Sequence, residues 1–166
     1  MKIKLDELKL KDSKHFHFEG IIEELPDLEF QLVKPIKVSY SVDFFAEEVL
    51  VKGEFSTKIK IACVKCLEDY EKEIKGQIES VYLDSKVLKE YANSFEEEAE
   101  SDENFYEEII DGTIDVSELV REHLILEIDP YGVCSDKCEG LEEMKNYEDD
   151  GIDPRWAQIL EMSKNK

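Results

Sequence analysis

Residues 35–66, PIKVSYSVDFFAEEVLVKGEFSTKIKIACVKC, decide the fold. Ile36, Val38, Tyr40, Val42 and Phe44 take every second position, and after Ala46-Glu47-Glu48 the alternation resumes from Val49 to Phe55. A period of two belongs to strands with one buried face. Thr57, Ile59 and Ile61 carry the pattern into Cys63. Upstream, Phe16 and Phe18 alternate with His15 and His17 and lead through Gly20 into Ile21 and Ile22. Downstream, Ile74, Ile78, Val81 and Tyr82 make a further strand after a turn expected near Tyr70. These runs predict an α+β chain, with an antiparallel β-sheet or partly open β-barrel in the first half. Short C-terminal helices follow. Asp115 with Glu118 three residues on is a capping-box-like start, and Val116, Leu119, Val120, His123 and Leu124 then share a helical face. Asp153-Pro154 is a second start, since Asp serves as an N-cap and Pro fits the first helical position; Trp156, Ile159 and Leu160 share its face.

The chain has 166 residues, of which 42% are hydrophobic and 38% charged. That length fits one domain, residues 1–166, with enough apolar material for a core. Forty-two acidic against 21 basic side chains give a net charge of −21, which opposes docking onto duplex DNA or an anionic bilayer. Weak or no binding to naked nucleic acid is the expectation. No run has the length of a membrane span, and MKIKLDELKLKD at the N-terminus alternates charges where a signal peptide has an apolar stretch, so a cytoplasmic location is expected. The charge is unevenly spread. Residues 1–89 carry 15 basic and 18 acidic side chains, residues 90–120 none and 12, and residues 121–166 6 and 12. The densest part, with Glu96, Glu97, Glu98, Glu100, Asp102 and Glu103, reads as a mobile acidic loop around 94–112. Such a loop is either a solvated tether or a docking arm for a basic protein.

All four cysteines fall in two chelating pairs, Cys63-Val64-Lys65-Cys66 and Cys134-Ser135-Asp136-Lys137-Cys138. Tetrahedral zinc takes four soft ligands, and two short-loop pairs supply them. A lysine precedes the second cysteine of each pair, and its charge would offset that of a zinc tetrathiolate. Two other readings stay open: reduced, unliganded cysteines, or a redox pair at Cys63 and Cys66. A reactive CxxC usually opens a helix, whereas this one ends a β-patterned run. Structural disulfides do not suit a reducing cytosol. His15, His17 and His123 have no nucleophile motif beside them, there is no glycine-rich phosphate loop, and no acidic pair stands out for acid–base work.

Taken in order, CVKCL, the Glu-rich stretch, GTIDVSELVREHLILEIDP, CSDKCEGL and DPRWAQILEM resemble the YceD family, the large ribosomal RNA subunit accumulation proteins. The resemblance runs over about residues 35–162. It implies a small non-enzymatic protein that supports accumulation of large-subunit ribosomal RNA and acts on an assembly intermediate of that subunit. In many bacteria the family's gene neighbours that of a small basic large-subunit ribosomal protein. Cys63, Cys66, Cys134 and Cys138 match the family's cysteine pairs, and Asp153, Pro154, Arg155 and Trp156 its terminal motif, which with Glu96, Glu97 and Glu98 are the expected partner-binding residues. Many members continue with further cysteines where this chain reads Glu142-Glu143-Met144-Lys145-Asn146, so a second metal knuckle is not expected. Because some members lack part of the cysteine set, zinc is expected as a structural staple. The rival classes are a zinc-binding protein-interaction module and a cytosolic thiol oxidoreductase.

Overall fold

The computed structural model describes residues 1–10, 13–94 and 106–143. In chain order the elements are β1 (Lys2–Lys4), α1 (Leu5–Lys9), β2 (His15–Ile22), β3 (Gln31–Phe45), β4 (Glu48–Ala62), β5 (Asp69–Asp84), α2 (Ser85–Ser94), β6 (Tyr106–Ile109), β7 (Thr113–Asp115) and α3 (Val116–Leu126). Strands β2 to β6 form one sheet in sequence order, and β1 pairs with β7 in a small second sheet. Of the two architectures compatible with the sequence, the open sheet is the one formed, with β2 and β6 at its edges. Pairing is antiparallel except between β5 and β6.

The alternating runs explain the long central strands. Ile36, Val38, Tyr40 and Val42 of β3, Val49, Val51, Phe55 and Ile59 of β4, and Ile74, Ile78 and Tyr82 of β5 are buried on one face. Val116, Leu119, Val120 and Leu124 of α3 join the same cluster, with Ile3, Leu5, Leu8 and Ile114 from the N-terminal elements and β7. The opposite face is polar and carries cross-strand pairs, Lys52–Glu79 at 2.7 Å, Lys60–Asp69 at 2.9 Å and Lys58–Glu71. His15 and His17 lie on this face, His15 against Asp43 and His17 3.4 Å from the Ser39 hydroxyl. The β3–β4 hairpin turns through Ala46 and Glu47, with Ala46 at a φ of 49°. Pro35 falls in a register shift between Lys34 and Lys37, where a residue without an N–H does not interrupt the ladder. Gly53 of β4 allows a close approach, because a Cβ there would lie 2.4 Å from the Ser39 carbonyl oxygen.

The helix expected at Asp115 is α3. Asp115 is its N-cap and accepts a hydrogen bond from the Ser117 amide, while Glu118 engages Arg121 rather than completing a capping box. The turn expected near Tyr70 comes earlier: β5 starts at Asp69, so the turn is the Cys63–Glu68 segment itself. Residues 106–109, within the stretch 94–112 read as an acidic loop, form edge strand β6. The helix expected from Asp153 lies outside the described residues.

Candidate metal centre

Cys63 follows directly on β4, and its amide donates to the Glu68 carbonyl oxygen at 2.9 Å, closing the tip of the β4–β5 hairpin. The Leu67 amide returns to the Cys63 carbonyl oxygen, with Leu67 at a φ of 61°. This knuckle presents the Cys63 and Cys66 thiols. The second pair arrives from the coil after α3. There the Val64 amide donates to the Gly132 carbonyl oxygen at 3.2 Å, and the Leu141 amide donates to the Lys65 carbonyl oxygen at 3.2 Å. A Cβ on Gly132 would stand 2.5 Å from the Tyr70 hydroxyl oxygen, and Gly140 adopts a φ of 74° beside Lys65. Gly140 belongs to the CSDKCEGL motif that carries the family resemblance, whereas Gly132 was not singled out in the sequence; its place two residues before Cys134 was the available signal.

The four Sγ atoms all lie within 4.8 Å of one another. Two cross-knuckle separations, Cys63 to Cys138 and Cys66 to Cys134, are each 3.8 Å. A tetrahedron with metal–sulfur arms of ~2.3 Å has edges of about 3.8 Å, so the donor set fits a tetrathiolate metal site. Cys63 is fully buried and Cys134 is exposed.

Backbone amides favour a thiolate here. The Cys66 amide on its sulfur holds the Cys63 thiol down to about 6, against its own burial, with help from the Cys134 and Lys65 amides. At Cys66 the Glu68 amide acts in the same sense, but desolvation and the neighbouring thiols of Cys63, Cys138 and Cys134 prevail and push it up to about 12. Hydrogen bonding with Cys138, followed by desolvation, raises Cys134 as well. Four thiols packed this closely cannot all ionise without a cation, and a bound divalent metal would supply that charge. Lys65 contributes through its amide and carbonyl, a different route from the ammonium charge expected from sequence.

The structure therefore gathers all four expected ligands into one cluster. Asp153, Pro154, Arg155, Trp156, Glu96, Glu97 and Glu98 lie outside the described residues. Among the described residues no helix is long and apolar enough to cross a membrane.

A family model described as large ribosomal RNA subunit accumulation protein YceD matches residues 51–162. The match begins inside β4, later than the start near residue 35 indicated by the sequence motifs. An uncharacterized protein of Mycobacterium leprae is 25% identical over 136 residues, covering 77% of this chain and 59% of that one. Uncharacterized proteins of Mycobacterium bovis and Mycobacterium tuberculosis are 26% identical over 129 residues, covering 73% of this chain and 58% of theirs. The chain thus spans under two thirds of the length of these relatives. No solved structure matches it. The family match takes in both cysteine pairs, the hairpin and coil that carry them and α3; the chain belongs to the YceD family of large ribosomal RNA subunit accumulation proteins.

Proposed function

We propose that this protein is a non-catalytic cytoplasmic factor that supports accumulation of 23S-type ribosomal RNA and assembly of the large ribosomal subunit. In this reading Cys63, Cys66, Cys134 and Cys138 hold a structural zinc, which would cross-link the hairpin tip to the C-terminal coil. The family match carries the reading. The thiol geometry supports a staple over a thiol oxidoreductase: Cys63, the thiol most disposed to ionise, is fully buried, and sulfur separations of 3.8 Å link each thiol of one knuckle to a thiol of the other.

The charge distribution supports a means of action. With no basic residue and 12 acidic ones between residues 90 and 120, the chain attracts a small basic ribosomal protein and repels naked RNA. Such a protein would be held by weak, salt-sensitive contacts and surrendered to the denser polyanion of the assembling RNA. Deleting the gene should lower large-subunit rRNA relative to small-subunit rRNA and shift gradient profiles toward incomplete large subunits. Unchanged profiles and rRNA ratios would remove the reading. Replacing Glu96, Glu97, Glu98, Glu100, Asp102 and Glu103 with Ser and Asn tests the acidic segment. Capture of basic ribosomal proteins at low salt should weaken, and capture undiminished by the change would exclude that segment as the docking arm.

A further inference from the structure

The two edges of the main sheet differ. Edge strand β6 has four residues, whereas β2 has eight and pairs with β3 in unbroken register from His15↔Asp43 to Ile22↔Ile36. The Phe44 amide donates to the Lys14 carbonyl oxygen, which makes the even-numbered positions of β2 those bonded to β3. The amides and carbonyls of His17, Glu19 and Ile21 therefore point away from the sheet, and among the described residues no strand pairs with them. Proteins normally blunt such an edge with a proline, a lysine or a bulge, and the stretch His15–Ile22 contains none of these.

Both faces next to this edge indicate what would fit. On the core side Phe18, stacked on Tyr40 with ring centroids 5.3 Å apart, is only partly buried and leaves apolar surface at the margin. At the strand's end the charge is mainly negative: Glu19, Glu23, Glu24, Asp27 and Glu29 are five carboxylates with no cation between them in sequence. Positive groups nearby are Lys37, the cross-strand partner of Ile21, Lys34, which lines a groove with Ile21 and Lys37, and Arg121, whose field reaches Asp27, so the five carboxylates outnumber the cations.

We propose that the outer edge of β2 is a strand-addition site for an extended, Lys/Arg-rich protein segment, which pairs its backbone with His17, Glu19 and Ile21 while its cations face the carboxylates from Glu19 to Glu29. The backbone edge supplies the hydrogen bonds, and the charge selects the partner. A second copy of this chain could offer the same edge, but its net charge of −21 and its own Glu19 disfavour that pairing. The inference rests on the reading that the chain holds a basic ribosomal protein, and it names where an extended part of that protein would lie.

The probe is a synthetic peptide of alternating lysine and valine, added to the full chain at low salt, with a glutamate–valine peptide as control. The lysine peptide should slow hydrogen exchange at the His17, Glu19 and Ile21 amides by at least about tenfold, and the control should leave them unchanged. Glu19→Pro removes an outward N–H without breaking a bond to β3 and should weaken peptide binding about tenfold at unchanged melting temperature. If that variant fails to fold, His17→Lys with Ile21→Lys, which keeps the backbone and adds repulsion, decides instead. Peptide binding that leaves the three amides exchanging freely, or equal binding by the lysine variant, overturns the proposal, as does dimerisation of the free chain through these amides. Capture of basic ribosomal proteins separates this inference from the function it rests on. Capture by the wild type that the lysine pair leaves intact overturns the edge alone, and no capture by the wild type overturns the holding role itself.

Discussion

At Leu67 the knuckle places a β-carbon in the left-handed region, at a φ of 61°, while the side chain stays exposed and packs little. A non-glycine residue in that conformation costs on the order of 1 kcal/mol. Leu67→Gly should therefore raise the stability of the metal-loaded protein by about that amount, seen as a higher melting temperature. A lowered value would mean that the Leu67 side chain makes a contact worth more than the strain. The cysteines are not equivalent. Cys63 is buried where the hairpin closes, and Cys134 is exposed. Each serine variant should lose bound metal. In metal-free protein, however, Cys63→Ser should still cost about 1–2 kcal/mol by putting a hydroxyl into a buried site, whereas Cys134→Ser should be nearly neutral. Denaturant melts of the two chelated variants check this, and equal costs would contradict the burial difference.

On the polar face of β4 and β5, cross-strand charges meet at Lys58 and Glu71. The bond from the Lys58 ammonium, then its charge, holds the Glu71 carboxyl below the usual range, while the same bond raises Lys58. A lowered folded-state pKa means stabilisation present above the ordinary carboxylate pKa and lost as pH falls through the lowered value. The Glu71 side chain is 49% exposed, so solvent screens the pair and Glu71→Gln should lower the melting temperature only slightly at neutral pH. Comparing its melting temperature with the wild type from neutral pH to about pH 3 should show the gap closing. A constant gap would assign the loss to packing. The long strands were legible in the sequence because Ile36 to Phe44 and Val49 to Ile61 alternate against one buried face. Helix α3 was legible from Asp115 and its apolar face, and the four-cysteine cluster from cysteine spacing alone. Strand β6 was not. Its Tyr106-Glu107-Glu108-Ile109 reads as part of an acidic run, and only the parallel pairing of Val81 with Tyr106 through Asp84 with Ile109 makes it a strand. The three-residue β1 and β7 are too short to show a period, and their partners are more than 100 residues apart in sequence.

At the scale of the whole molecule, the cysteine cluster spans two parts whose stabilities have different origins. The sheet and α3 share a continuous apolar core that includes no cysteine. Beyond α3 the coil runs through Gly132 to Leu141 with little buried apolar surface, and Tyr131 is 80% exposed. Among the described residues, the links to the hairpin tip besides the thiols include the Val64–Gly132 hydrogen bond, the Leu141–Lys65 hydrogen bond and the close approach of Gly132 to Tyr70. Net hydrogen bonds of this kind contribute about 1 kcal/mol each, comparable to the cost of ordering a single residue of coil. Metal ligation across Cys66 and Cys134, 68 residues apart, would then be the main constraint on the coil. Removing the metal should release the coil and leave the sheet standing. Chelation is expected to speed hydrogen exchange at the Val64 and Leu141 amides strongly, with Val38, Val51 and Ile78 still protected and the β circular dichroism unchanged. Cooperative loss of the sheet on chelation would show that the metal is part of the folding core, and unaltered exchange at Leu141 would show that the coil is held without it.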